Sequence, residues 1–343
     1  MPDSYRLEQF GLFCQRKKAV NGPDVHMKAA GFGTEDAGDE LPWRLAVYNN
    51  FCSTPSAAVV WANWTWDDVW GDGDNELENW IRQNWKGIPI RQNRRPARSV
   101  PKLTRSLKTL ADWMCDDFGD LPNISYEEAW KSLDSVYTWG RYVKIKYLET
   151  CRLFLGPEYA HLIAPNIHGA GGWSPRRALG ILYPEYAMIV ANKARNDKQT
   201  LAFTHSLADD VRAYVTDNWI EVSTYELEAL LCNYRQTLST GKTFYVGRTI
   251  DSELEYQQKI ESYWGEDPYR GTFDFYDARR KAFPKETLGE ENGWDGVRAD
   301  LSPLLRENNI VWSDTVFCYN ASKEDLTNPV LQPGQYDRHG RID

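Results

Sequence analysis

Apolar side chains in this sequence recur at intervals of three and four residues and seldom at two, which constrains the fold more than any other feature. Between Pro101 and Met114 they fall at Leu103, Leu107, Leu110, Ala111 and Met114. That is the stripe of an amphipathic helix, with Pro101 suited to its first turn. Ser125-Tyr-Glu-Glu128 is a capping box, in which a hydroxyl and a carboxylate each satisfy an otherwise orphaned backbone N–H. It predicts one long helix towards Phe154, with Trp130, Leu133, Val136, Tyr137, Val143, Tyr147, Leu148 and Cys151 on its apolar side and Gly140 as a kink or a point of close approach. Ser223-Thr-Tyr-Glu226 is a second box, followed by Leu227, Leu230, Leu231, Tyr234 and Leu238, and a further helix is predicted after Asp251 through Leu254 and Ile260. Strand signals are confined to Thr243-Phe-Tyr-Val246 and Ile310-Val-Trp312. The expected fold is mainly α and multi-helix, with a few short strands.

A chain of 343 residues holds one large domain or two ordinary ones. The expected divisions are an N-terminal region over 1–120, a helical core over 121–265 and a C-terminal extension over 266–343, or a single domain throughout. Residues 21–42, rich in Gly, Pro and acids, read as a long loop, and 329–343 as a loose tail. Apolar residues at 42% support a real core. No run of about 18 apolar residues is present, so no membrane partner is expected. Met1-Pro2-Asp3-Ser4 lacks the order of a signal peptide. The six cysteines never fall as C-x-x-C, which argues against a disulfide framework or structural zinc and makes the cytoplasm the expected compartment.

The net charge of −9 hides a sharp asymmetry. Arg82, Lys86, Arg91, Arg94, Arg95, Arg98, Lys102, Arg105 and Lys108 are nine cations in a stretch without Asp or Glu. Taking that +9 out of a chain of net −9 leaves −18 on the remainder. Immediately before it stand Asp67, Asp68, Asp72, Asp74, Glu76 and Glu78. Six of the nine cations are Arg, the side chain that grips phosphate bidentately, and Arg98, Lys102, Arg105 and Lys108 recur at helical spacing. Two readings fit: a phosphate-binding face, or a solvated face that pairs with the acidic run.

Familiar catalytic signatures fail. Ser239-Thr-Gly-Lys-Thr243 ends like a nucleotide-binding loop, but Gln236 occupies the position of its first glycine, and a helix precedes it. There is no G-x-G-x-x-G, H-E-x-x-H or G-x-S-x-G. The five His show no metal-ligand spacing, so no redox or zinc cofactor is expected. Two constellations remain. Asn166-Ile-His-Gly-Ala-Gly-Gly172 places His168 and three glycines ahead of Ser174, Arg176 and Arg177, where open N–H groups and a helix start can hold an anion; the alternative is an ordinary turn. Leu231-Cys-Asn-Tyr-Arg235, with Glu226 two turns before Asn233, precedes Tyr245-Val-Gly-Arg-Thr-Ile-Asp251. Arg248 and Asp251 are read there as a tight loop before a helix, and with Glu226, Asn233 and Arg235 they offer a polar pocket. Cys232 has no His beside it in sequence to activate it.

Three stretches carry a family resemblance. They are Pro42-Trp43 through Tyr48-Asn49 to Val60-Trp61; Asn84-Trp-Lys-Gly-Ile-Pro-Ile-Arg91 with Arg94, Arg95 and Arg98; and Tyr245–Asp251. Over roughly residues 40–265 the chain resembles the phage amino acid:DNA transferases, also called α-glutamyl/putrescinyl thymine pyrophosphorylases. The resemblance implies a helical, DNA-glycosylase-like fold and a location in the infected host's cytoplasm. It also implies double-stranded DNA carrying pyrophosphorylated 5-hydroxymethyl-deoxyuridine as substrate, and an amino acid or polyamine as donor. No redox cofactor is implied, and magnesium assistance is compatible. On this reading Arg91, Arg94, Arg95, Arg98, Lys102, Arg105, His168, Arg176 and Arg177 meet the DNA or substrate. Arg248, Asp251, Glu226, Asn233 and Arg235 surround the reaction, with Arg248 as partner to a donor carboxylate. Glycosylases of the implied fold carry a helix-hairpin-helix; no L-P-G-V-G-like hairpin stands in this sequence.

Overall fold

Both capping boxes form. Ser125 N–H donates to Glu128 Oε2 (2.8 Å) while Glu128 N–H donates to Ser125 Oγ (3.3 Å). Ser223 N–H and Glu226 N–H do the same with each other's side chains (2.8 and 3.2 Å). The computed structural model describes residues 4–21, 39–73, 75–90, 99–167, 173–192, 197–239, 248–265 and 268–270. The helices are α1 (Ser4–Asn21), α2 (Leu41–Phe51), α3 (Thr54–Trp61), α4 (Trp66–Trp70), α5 (Glu76–Asn84), α6 (Val100–Asp116), α7 (Tyr126–Ser132), α8 (Arg141–Phe154), α9 (Trp173–Leu182), α10 (Ala187–Val190), α11 (Lys198–Asn218), α12 (Thr224–Ser239) and α13 (Arg248–Trp264). The fold is mainly α, as the apolar spacing predicts. No strand occurs among the described residues, and both strand candidates lie outside them. Among the described residues no helix is long and apolar enough to cross a membrane.

Contacts divide the described residues into two units, each assembled from segments that are not continuous in sequence. One unit contains α1 and α9–α12. Its core sets Phe10 and Phe13 edge-on against Tyr234, with ring centroids 5.0 and 5.2 Å apart, and packs α9 along α12.

The other unit contains α2–α8 and α13. Here α3 is buried along its whole length and α8 from Val143 to Cys151, so both are central helices rather than surface ones. α6 buries Leu103, Leu107, Leu110, Ala111, Trp113 and Met114. α13 packs on α3, where Glu253 Oε2 accepts from Thr54 N–H (2.7 Å). Its end folds over Gly87, whose carbonyl accepts from Trp264 Nε1 (2.9 Å). A Cβ at Gly87 would overlap the Tyr263 ring and Trp264 Nε1. Gly87→Ala is therefore expected to cost about 1–3 kcal/mol through displaced aromatic rings, read as a lower denaturation midpoint.

The long helix expected from Ser125 to Phe154 is two helices. α7 ends at Ser132, and residues 133–140 form a turn in which Thr138 is left-handed (φ 67°) and Gly140 stands extended as the N-cap of α8. Leu133, Val136 and Trp139 are buried. They match helical spacing because they face the same core, although the backbone between them is not helical. α9 begins at Trp173, so Ser174 lies inside its first turn rather than capping it.

Candidate nucleic-acid interface

α6 carries the described centre of the basic strip. Ser99 is extended at its N-cap, Pro101 stands in the first turn, and with one face buried Lys102 and Arg105 project into solvent. The Arg105 guanidinium lies over the Tyr137 ring, 4.2 Å from its centroid. Tyr137 belongs to the turn before α8, and that turn is fastened along α6. Its N–H donates to Thr109 Oγ1 (2.9 Å), and Ser106 Oγ lies 3.1 Å from both the Tyr137 carbonyl and Asn50 Oδ1.

The turn is held from both sides. Trp139 is buried and donates through Nε1 to Asn50 Oδ1 (2.9 Å). Lys144, one turn into α8, reaches back to donate to the Trp130 carbonyl (3.2 Å), pairs with Asp134 and faces the Trp130 ring at 5.4 Å. This ties α7, the turn and α8 together. After the turn, α8 starts without a side-chain cap and without an acid in its first turn. Val143 and Lys144 N–H both use the Gly140 carbonyl (2.9 and 3.2 Å). The positive end of an uncapped helix attracts anions, and Gly140, Arg141 and Tyr142 are exposed there. Arg105 thus lies against the turn that leads into the α8 start at Arg141, and Lys102, Arg105 and Arg141 are all exposed.

The strip is not uniform. Arg82 pairs with Glu78 (2.6 Å), and Lys108 pairs with Asp72 (3.1 Å) and donates to its carbonyl (3.0 Å). Burial pushes the Asp72 carboxyl up, but Lys108 and the N–H groups of Glu76 and Leu77 outweigh it and hold its pKa below the usual carboxylate value. Pairing with the acidic run therefore holds at Arg82 and Lys108. Among the described residues Lys102 and Arg105 have no carboxylate partner. An open groove of about 600 Å³, lined by Lys86, Glu255, Gln258, Lys259, Ser262 and Tyr263, lies beside another cation of the strip. Arg91, Arg94, Arg95, Arg98 and His168 lie outside the described residues.

The other polar constellation lies on α9 and α12. Arg176 and Arg177 are 1% and 2% exposed. Arg176 donates through Nε to the Val190 carbonyl (2.6 Å) and through Nη2 to that of Asn192 (3.0 Å). Burial lowers its pKa, and Asp197 opposes that. Glu226 closes its capping box, and Asn233 donates to the Ala229 carbonyl of its own helix (2.8 Å). Burial also lowers the pKa of Arg235, whose buried Nε has no hydrogen-bond acceptor among the described residues. The Cys232 thiol is pushed far up by burial and by Glu228 (Sγ to Oε1, 3.8 Å), which removes it as a nucleophile at neutral pH. Arg248 and Asp251 both stand in the first turn of α13, which begins at Arg248, so Asp251 lies inside that helix rather than in a loop ahead of it. Their side chains lie outside the description.

Sequence reasoning missed the turn around Thr138 and the cation Arg141. The available signal was Gly140, a residue that serves as an N-cap as readily as it marks a kink. Among the described residues no group of three His, Cys, Asp or Glu is placed to hold a metal ion. Comparison with protein-family models gives no match, and comparisons with curated proteins and with solved structures give none either.

Proposed function

We propose that this chain binds duplex DNA through α6 and the turn before α8. We further propose that it acts on a modified thymine, replacing the pyrophosphate of pyrophosphorylated 5-hydroxymethyl-deoxyuridine with an amine from an amino acid or polyamine. The observation that carries the DNA reading is exposed Arg105 of α6, stacked on Tyr137 of the turn that leads into the uncapped, acid-free start of α8 at Arg141. Phosphates are held by such donors without regard to sequence. The transferase reading is supported by the resemblance in 42–61, 84–98 and 245–251.

The chemistry follows from the substrate. A base inside a duplex has to be turned out of the stack, at a cost of a few kcal/mol. Departure of pyrophosphate from the exocyclic carbon builds negative charge, which Arg groups stabilise, and the uracil ring supplies electrons to the carbon it leaves. The incoming amine attacks unprotonated, so a carboxylate serves as its base. Arg248 is the candidate partner of the donor carboxylate or the pyrophosphate. No redox cofactor is required; magnesium can neutralise pyrophosphate.

The test is incubation of pyrophosphorylated 5-hydroxymethyl-deoxyuridine DNA with a pool of amines, followed by nucleoside mass spectrometry. An amine-bearing nucleoside formed with loss of pyrophosphate is the expected product. A released base would point to a glycosylase, and unchanged DNA to a binding protein without turnover. The interface has its own readout. Each phosphate contact contributes about 0.9 to the slope of log affinity against log salt, so Lys102→Ala, Arg105→Ala and Arg141→Ala together are expected to flatten it by roughly 2.7. All three side chains are exposed, so the melting temperature is expected to hold. An unchanged slope places the DNA elsewhere.

A further inference from the structure

We propose that Cys52 and Lys146 form a modification site, in which oxidation of the thiol by a hydroperoxide is followed by capture of the sulfur by the lysine amine as an S–N crosslink. This inference does not depend on the DNA reading. Cys52 closes α2 in a left-handed conformation (φ 49°, ψ 37°), with its N–H on the Tyr48 carbonyl at 2.6 Å. An L residue adopts that conformation only at a conformational cost. Its sulfur lies 3.3 Å from Lys146 Nζ, a contact between residues 94 positions apart. Nζ also stands 4.2 Å from the centroid of the Tyr48 ring. Cys52 is 4% exposed and Lys146 5%. Among the described residues no carboxylate comes within ion-pair distance of this ammonium. The sulfur also lies 3.6 Å from the Asn49 carbonyl oxygen, and the thiolate is the form of cysteine that attacks a peroxide.

The steps balance with one equivalent of hydrogen peroxide. The thiolate attacks the peroxide and breaks its O–O bond; sulfur takes OH to become sulfenic acid, and hydroxide leaves. Hydroxide takes a proton from the Lys146 ammonium and becomes water. The free amine then forms the S–N bond, and the sulfenic OH leaves with a proton from nitrogen as a second water. Sulfur is oxidised by two electrons and peroxide is reduced by two. Sulfenic acids condense with nearby nitrogen in this manner, and an amine already in contact outcompetes a second peroxide from solution.

The experiment uses the full chain carrying Cys115→Ser, which removes an exposed thiol. The protein is treated with one equivalent of hydrogen peroxide, digested and analysed by mass spectrometry. The expected result is a joined pair of peptides containing Cys52 and Lys146, lighter than their sum by two hydrogens and separated by dithiothreitol. The melting temperature should rise by several degrees before reduction and return afterwards. Lys146→Arg keeps the cation and is expected to abolish the joined pair, leaving Cys52 as a sulfenic acid that dimedone traps. Separate peptides in the oxidised wild-type background, whether Cys52 is untouched or carries oxygen, would overturn the proposal. A joined pair that retains oxygen would overturn the S–N bond.

Discussion

Trp139→Ala is expected to destabilise the unit built from α2–α8 and α13 by about 3–5 kcal/mol, the usual range for deleting a buried Trp side chain. Trp139 is 5% exposed and meets the Tyr147 ring edge-on, with centroids 5.1 Å apart. Its Nε1 is one of two donors to Asn50 Oδ1, the other being Ser106 Oγ. Domains carry about 5–15 kcal/mol of stability, so this one change removes a large part of it. Trp139 also stands between left-handed Thr138 and the N-cap Gly140, so the turn loses its anchor. DNA affinity is expected to fall even where the variant remains folded. Trp139→Phe keeps an aromatic ring and loses the indole N–H, a smaller loss of about 0.5–1.5 kcal/mol. Denaturant midpoints of the two variants check the ordering. A Trp139→Ala midpoint within error of the wild type would mean that the turn is not held by this ring.

Arg176→Ala is expected to cost about 2–4 kcal/mol while leaving the salt dependence of DNA binding unchanged. Its guanidinium holds the carbonyls of Val190 and Asn192, and a buried polar group left unpaired costs about 1–3 kcal/mol. Val190 is fully buried, so water cannot readily replace the lost donor there; Asn192 is half-exposed and loses less. Lysine has one ammonium where arginine has a planar fork, so Arg176→Lys is expected to recover only part of the stability. If Arg176→Ala melts normally but binds DNA with a flatter salt slope, the side chain serves the ligand and not the fold.

The helix starts were legible because capping is local. Ser125, Ser223 and Pro101 act within four residues of themselves, so their chemistry can be read without the rest of the chain. The break between α7 and α8 was not legible from apolar spacing. Leu133, Val136 and Trp139 turn to one core whether or not the backbone between them is helical, so periodicity cannot tell a helix from a turn that keeps the same inner face. The same limit applies to α3. A helix buried on every side shows no contrast between two faces, and Thr54–Trp61 reads as an undivided apolar run.

In the candidate interface the abundance of positive charge was legible, but its availability was not. The Arg82–Glu78 pair is four residues apart on one helix and follows from sequence. The Lys108–Asp72 pair bridges 36 positions and exists only because α6 lies against the segment before α5. Arg176 and Arg177 looked like anion ligands after a glycine loop. The fold buried both and set Arg176 against the chain end of α10.

What the sequence by itself determined is whatever depends on neighbours within a turn of helix: the helical class, the capped starts at Ser125 and Ser223, and the concentration of positive charge between residues 82 and 108. What only the tertiary structure decided is which distant groups meet. It set Tyr137 under Arg105, Trp139 on Asn50, and the Cys52 sulfur beside the Lys146 ammonium across 94 positions. The reason is physical. Helix propensity and capping act over three or four residues, whereas each of these contacts forms only when the helices bury their apolar faces together, and that packing is a property of the whole unit.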